Sequence, residues 1–452
     1  MILSKHTVIT IALFSLLIRC TYPQKTINAE ARFANNDDEE LFTNVQQQTF
    51  QYFWEGAEPK SGMARERINM DNVYPQNDKD VVTSGGGGFG VMAILVGIHR
   101  GFITRDQGRE RLEKIVHFLQ NADRFHGAWP HWLYGKTGKV KPFSRKDDGG
   151  DLVETSFMIQ GLLCARQFFY KGDSTEKALA ARIDTLWRDV EFDWYTHGQN
   201  VLYWHWSPKY KWDMNFPVHG YNECLIMYIL AASSPTHGVP PAVYNEGWAE
   251  NGKIVSRCPV YDYYLQMYHD DSPYGGPLFW THYSYLGLDP HGLKDRYADY
   301  WLENKNQAMI NYIWCVKNPK YYKGYGPDNW GLTASYSVNG YAAHAPGKET
   351  DLGVIAPTAA LSSFPYTPKQ SMEAMRHWYN DMKDKLWGPY GFYDAFSQSV
   401  GWYPQKYLAI DQGPIVVMME NYRSGLLWNL FMSCPEIKEG LKTLGFTSPY
   451  LK

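Results

Sequence analysis

The sequence predicts an all-α protein, an (α/α)6 toroid with short β-hairpins in its loops. Two observations carry this. Segments with helical hydrophobic periodicity recur from residue 39 to residue 432 with no linker-like composition between them. These segments are also of two kinds that tend to alternate. Some have a charged face, as in Arg105 to Arg124, where Arg111, Glu113 and Lys114 oppose Leu112, Ile115, Phe118 and Leu119, and in Lys369 to Leu386. Others are apolar nearly all round, as in Phe157 to Cys164, Cys224 to Ala231, Ile415 to Met419 and Leu426 to Phe431. A helix apolar on every side has to be buried, and one with a charged face lies outside. About a dozen helices alternating in this way make an inner ring covered by an outer one. A helical solenoid is the structural alternative, and no fixed-period repeat supports it.

Taken in order, the periodicity places helices at 39–57, 87–100, 105–124, 151–170, 175–191, 220–233, 257–270, 277–286, 293–317, 351–363, 368–386 and 412–432. The loops entering the apolar helices are long and rich in glycine and aromatics. Examples are Gly127 to Trp132, Tyr203 to Trp206, and Tyr322 to Tyr336 with Trp330. Loops of such length inside a compact fold are functional or disordered, and their aromatics argue against disorder.

Upstream of the helices, Lys5 and His6 precede an apolar run from Val8 to Ile18. That run fits the apolar region of an export signal and is too short to span a bilayer. Leu17-Ile18-Arg19-Cys20 resembles a lipobox, which makes Cys20 the candidate lipidation site. Arg19 stands where a small residue is usual, so ordinary secretion is the other reading. Residues 21–37 are polar and unpatterned, as a tether would be.

Composition narrows the partners. A net charge of −3 gives no field that would attract nucleic acid or an anionic membrane. Aromatics make up 16% of the chain, with 34 Tyr and 17 Trp. Such rings pair an apolar face with a polar edge, which suits sugars; a large aromatic core is the plainer explanation. The six cysteines include no Cys-x-x-Cys pair. Cys164, Cys224 and Cys315 fall in apolar helices, so buried thiols are expected rather than a disulfide framework or a zinc site.

Carboxylates cluster at the starts of the apolar helices. In Asp147 to Glu154, Asp151 and Glu154 fit an N-cap followed by a capping-box acid. With Asp147 they would also crowd the mouth of a buried helix, where acids must be solvated, paired or functional. Tyr221-Asn222-Glu223 places one acid before an apolar run. Burial disfavours its charged form and raises its pKa, as a general acid requires, although the helix dipole alone could favour a glutamate there. Asp411, in Asp411-Gln412-Gly413-Pro414, is either an N-cap or a catalytic group. Thr350-Asp351 heads another apolar helix in the same way, with Glu349 beside it. If the inner helices run alike, these starts converge on one mouth ringed by carboxylates and aromatics. Glycoside hydrolysis uses such a place, with one protonated carboxyl and one carboxylate. Trp129, Trp132, Trp204, Tyr221 and Trp330 are the candidate sugar contacts. Arg65 and Arg67 read first as a solvated charge pair, and Arg65 is the one carried forward as a possible contact. The glycines of Ser84 to Gly90 lack the Gly-Lys-Ser/Thr of a phosphate loop, so close backbone approach to a ligand or a helix is their expected use.

With these motifs in hand, the chain resembles the bacterial glucoamylase-like glycoside hydrolases that include endo-β-1,2-glucanases and related exo-acting enzymes. The likeness rests on Asp147 to Glu154, Tyr221-Asn222-Glu223 and Asp411-Gln412-Gly413-Pro414. It implies a single (α/α)6 domain over 38–452, after a signal peptide at 1–20 and the tether. It also implies an inverting hydrolase with no metal or organic cofactor, with Glu223 as general acid, Asp411 as general base and Asp147, Asp151 and Glu154 as supporting acids in the cleft. The expected partner is an oligo- or polysaccharide, best a β-1,2-glucan. The expected state is a monomeric exported protein, in the periplasm or as an outer-membrane lipoprotein that meets the membrane only through its anchor. The rivals are an α-glucan or other glucan specificity, and a non-catalytic glycan-binding lipoprotein.

Overall fold

In the computed structural model, residues 33–451 apart from 270 and 271 are described. The expected signal sequence, the candidate lipidation site Cys20 and most of the expected tether lie outside the described residues. The helices are α1 (Asn36–Trp54), α2 (Ser84–Arg100), α3 (Arg105–Asn121), α4 (Leu152–Phe169), α5 (Ser174–Arg188), α6 (Leu225–Ser233), α7 (Tyr300–Lys317), α8 (Pro357–Leu361), α9 (Pro368–Asp381), α10 (Lys383–Leu386), α11 (Ala409–Ser424), α12 (Leu426–Met432) and α13 (Pro435–Thr443). Short helical turns at Val243–Trp248, Leu278–Thr281 and Ser284–Leu286 complete the set.

The two helix kinds take the two layers. The first fourteen residues of α2 and the first fifteen of α4 are all buried, whereas α3 and α5 bury one stripe each. The inner layer is α2, α4, α6, the 278–286 turns, α8 and α11. The outer layer is α1, α3, α5, the 243–248 turn, α7 and α9. α2 packs on both α4 and α11, α1 covers α11 and α2, α5 covers α4, and α9 covers α8. One apolar core runs continuously from Phe42 to Phe446, and the architecture is an (α/α)6 barrel.

Glycine sets the closest helix approach. A Cβ on Gly88 would lie 2.3 Å from the Phe157 carbonyl oxygen, and one on Gly161 would lie 2.2 Å from the Gly88 oxygen. α2 and α4 therefore touch backbone to backbone, the close-approach use expected of the glycine run. The strands are short antiparallel pairs. Arg67–Asn69 pairs with Lys406–Leu408, Gly150–Asp151 with His205–Trp206, and Ala334–Ser337 with Gly340–Ala343.

Four expected helices differ. Of the expected helix 257–270, the described residues 257–269 form none: Val255–Val260 and Tyr263–Met267 make a hairpin, with Leu265 and Met267 buried and Tyr264 60% exposed. That period of two, and Pro259 without a backbone N–H, suit a strand better than a helix. The outer element there is the 243–248 turn. The 351–363 segment shrinks to α8, because Gly353 takes a left-handed φ of 74° and Pro357 starts the helix. Asp351 therefore heads no helix; it is buried and accepts from Trp314 Nε1 and Tyr325 OH, each at 2.8 Å. Gly425, at φ 69°, splits 412–432 into α11 and α12. α6 begins only at Leu225, which leaves Glu223 in the turn before it. Cys164, Cys224 and Cys315 are free and buried, as expected; Cys434 is also free and buried, and Cys258 is free and exposed.

Gly88→Ala would force the α2–α4 backbones apart. We expect a loss of stability of about 2 kcal/mol or more, measured by urea unfolding; an unchanged midpoint would show that the crossing relaxes freely.

Candidate active site

A cavity of about 460 Å³ opens where the inner helices begin. Its wall includes Thr83 ahead of α2, Val153 and Glu154 at the start of α4, Glu223 ahead of α6, Phe279 in the 278–281 turn, and Leu408 and Ile410 at the start of α11. α8 contributes through the hairpin that precedes it, by Tyr336 and Tyr341. Five helical starts and one hairpin thus converge on one space. Trp132, Phe143 and Trp204 form its aromatic side.

Asp151 is the hub of the acidic wall. As N-cap of α4 its Oδ1 accepts from Glu154 N at 2.9 Å. Its Oδ2 meets His131 Nδ1 and accepts from Trp204 Nε1, both at 2.9 Å. One fully buried carboxylate therefore fixes a helix end, an imidazole and a cavity-lining indole. Glu154 accepts from Gly85 N at 2.8 Å, and a Cβ on Gly85 would sit 2.5 Å from its Oε2. Only glycine at 85 lets that acid settle. Behind them Asp147 Oδ1 lies 3.3 Å from His205 Nε2, which also accepts from Gly149 N.

The titration behaviour follows from this crowding. Burial pulls the His131 pKa down, but Glu154, Asp151 and Asp147 more than reverse it, to about 10. Burial, then Asp151, push Asp147 up to about 7. Glu223 is raised to about 7, first by burial and then by Glu154 and Asp151. His131, Asp147 and Asp151 could offer ligand atoms within 4.8 Å of one another. A metal needs neutral imidazole, however, and His131 is held as a cation with its Nδ1 proton on Asp151, so this donor set fits a proton-bridged cluster better than a metal site.

The expected site residues divide. Glu223, Glu154, Trp132 and Trp204 line the cavity, with Asp151 and Asp147 directly behind. Asp411 sits in the first turn of α11, buried, in the wall rather than at its surface. Burial and the neighbouring carboxyls of Asp394 and Glu66 raise its pKa well above the usual range, and Asp394 itself is pushed up to about 6 by burial. Trp129, Tyr221 and Trp330 are corrected to core residues. Each is fully buried, with its polar atom satisfied internally by Leu119 O, Asn304 Oδ1 and Gln370 O respectively. Arg65 turns away to Gly56 O and Asp80; its neighbour Arg67 lines the cavity, ion-paired with Glu66. Glu66, His131, Tyr283, Tyr336 and Tyr341 are wall residues that the sequence reading did not single out.

Against this geometry, the family model described as "Putative glucoamylase" matches residues 215–435. An endo-β-1,2-glucanase from Chitinophaga pinensis, solved with sophorotriose and glucose, is 72% identical, with 92% of this chain and 99% of that chain covered and a TM-score of 0.91. The chain belongs to the glucoamylase-like family. A second family relative, the exo β-1,2-glucooligosaccharide sophorohydrolase of Parabacteroides distasonis, is 46% identical over 426 residues. That match covers 90% of this chain but only 58% of the relative, so the chain spans well under two thirds of that curated protein's length. An endo-β-1,2-glucanase from Talaromyces funiculosus, solved with sophorose, is 12% identical with 90% of each chain covered and a TM-score of 0.62, a likeness of fold alone.

His131 gives a stability test. Its pKa is raised from 6.5 to about 10 in the folded protein. The stabilisation is therefore complete below pH 6.5 and lost as pH rises through 10. Wild-type unfolding free energy should fall between pH 7 and pH 10, and that fall should flatten in His131→Gln.

Proposed function

We propose that this chain hydrolyses β-1,2-glucan or its oligosaccharides with inversion, as an exported lipoprotein. The observation that carries the chemistry is Glu223: a carboxyl on the wall of an aromatic-lined cavity whose acidic neighbours and burial keep it protonated close to neutral pH. The linkage rests on the 72% identity to an endo-β-1,2-glucanase. The export and lipidation reading rests on the Val8 to Ile18 run and Cys20.

The residues divide the work. Glu223 gives its proton to the glycosidic oxygen as the C1–O bond breaks. Water attacks C1 from the opposite face and loses a proton to the base. Asp411 is the proposed base: it and Asp394 are a coupled buried pair, and Asp411 acts in the form in which the proton they share sits on Asp394. It takes the proton directly or through a substrate hydroxyl, since its carboxyl lies in the wall. His131, protonated and joined to the buried Asp151, holds Glu154 as a fixed polar surface for sugar hydroxyls. Trp132, Trp204, Tyr336 and Tyr341 supply stacking faces. A second reading is favoured by one observation: Glu66 lines the cavity and Asp411 does not. In that reading Glu66 is the base.

Three measurements decide. Glu223→Gln should keep the fold and lower kcat by about 10²-fold or more. Asp411→Asn should do the same under the first reading and Glu66→Gln under the second, so rates near wild type for Glu223→Gln and for both base variants would remove the mechanism. The kcat/KM profile should be bell-shaped, with its alkaline limb near the Glu223 value of about 7. Incubation with linear β-1,2-glucan beside starch, followed by proton NMR of the first product, should show the α-anomer from the β-glucan only; the β-anomer would exclude inversion, and release from starch alone would overturn the linkage.

A further inference from the structure

Outside the cavity the loop from Trp194 to Phe216 carries an aromatic surface that the chemistry above does not use. Trp194 is 41% exposed and Phe216 51%. Trp206 and Trp212 beside them are half-buried, so the patch is one exposed indole and one exposed phenyl edged by two partly covered indoles. Trp194 and Trp212 lie 6.4 Å apart, tilted by 32°, and Trp206 meets Trp194 edge-on at 6.3 Å.

An imidazole stacks on each of Trp194 and Trp212, and on Trp212 it is the exposed His197. His126 stacks on Trp194 at 3.8 Å with the planes 14° apart, and His197 stacks on Trp212 at 4.5 Å and 13°. Both histidines hold left-handed backbone, at φ 49° and 50°, as does Lys211 at φ 55°. A non-glycine residue in that region costs on the order of 1 kcal/mol, and such strain concentrates where surrounding structure serves a function. Here it sets the imidazoles flat against the rings and fixes one face of each indole. Lys211 Nζ stands 5.0 Å from the Trp206 ring and adds a hydrogen-bond donor at the edge of the cluster.

The cluster is continuous with the cavity. Trp204, on the cavity wall, stacks on exposed Phe216 at 5.4 Å. Trp206 follows two residues along the same strand, where it pairs with Gly150, next to the Asp151 hub. A chain leaving the cavity past Trp204 therefore meets Phe216 and then the shelf of indoles.

We propose that Trp194 and Trp212 form an accessory binding shelf for the part of a glucan chain that extends beyond the cavity. The inference rests on the glucan reading of the cavity. The shelf contributes affinity for long chains and nothing to bond cleavage, so its signature is a dependence on chain length.

The test is the double variant Trp194→Ala/Trp212→Ala, with Trp194→Tyr as the ring-keeping control. On polymeric β-1,2-glucan the double variant should raise KM about tenfold with kcat unchanged, a loss in the range of one or two aromatic stacking contacts. On a trisaccharide its kinetics should match wild type, which also shows that the fold is intact. Trp194→Tyr should stay close to wild type on both. Equal effects on trisaccharide and polymer, or none on either, would overturn the shelf. Gel retardation of Glu223→Gln by polymeric β-1,2-glucan reads binding without turnover. Retardation that survives the double substitution overturns the shelf, and retardation that disappears supports it. Absence of sugar release by wild type would instead fail the reading of the cavity, while the retardation result still judges the shelf.

Discussion

The backbone contact between α2 and α4 is the constraint from which the rest of the site follows. With Gly88 against the Phe157 carbonyl and Gly161 against Gly88, no side chain separates the two helices. The start of α2 is thereby brought under the start of α4, where Gly85 N–H and Thr83 reach the Glu154 carboxylate. Any side chain at these glycines would lift α4 away, and Glu154, Asp151, His131 and Trp204 would move with it. The packing of two apolar helices and the aim of an acidic cluster are thus one geometric fact.

Around that crossing, charge is arranged by pairing rather than by solvation. His131 is the cation that lets Asp151 and Glu154 stay close together in a buried wall. Among the described residues no ion pair engages Glu223, and burial, then the nearby Glu154 and Asp151 carboxylates, opposes its ionisation. Across the cavity, Asp411 and Asp394 are two buried carboxyls that cannot both ionise cheaply, and Arg67 is already engaged by Glu66. The wall therefore holds acids in distinct protonation conditions within one space, as acid–base cleavage of a neutral sugar chain requires.

Much of this was legible in the residues. The alternation of all-apolar and charged-face helices identified the double ring, and acids preceding apolar runs marked Glu154 and Glu223 on the cavity wall. What failed did so for physical reasons. Helical and strand periods are hard to separate where tyrosines, amphipathic in any conformation, dominate, and Val255–Met267 turned out to be a hairpin. Trp129, Tyr221 and Trp330 looked like sugar contacts because a loop indole or phenol has the same composition whether it faces inward or outward; only the internal acceptors at Leu119, Asn304 and Gln370 decide. Arg65 and Arg67 read as solvated charges, yet Arg67 lines the cavity because its strand pairs with Lys406–Leu408, more than three hundred residues away in sequence. No local pattern carries such a pairing.

Because the cavity wall is assembled from the first residues of the inner helices and from loops ahead of them, the helical ring below bears the folding free energy while the rim bears the recognition. Insertions, deletions and exchanges among the rim loops leave the buried lengths of α2, α4 and α11 untouched. The scaffold is therefore evolvable: a lineage can reshape a rim loop, lengthen a hairpin or discard an outlying aromatic, and so change what the cavity admits, without reinventing its core.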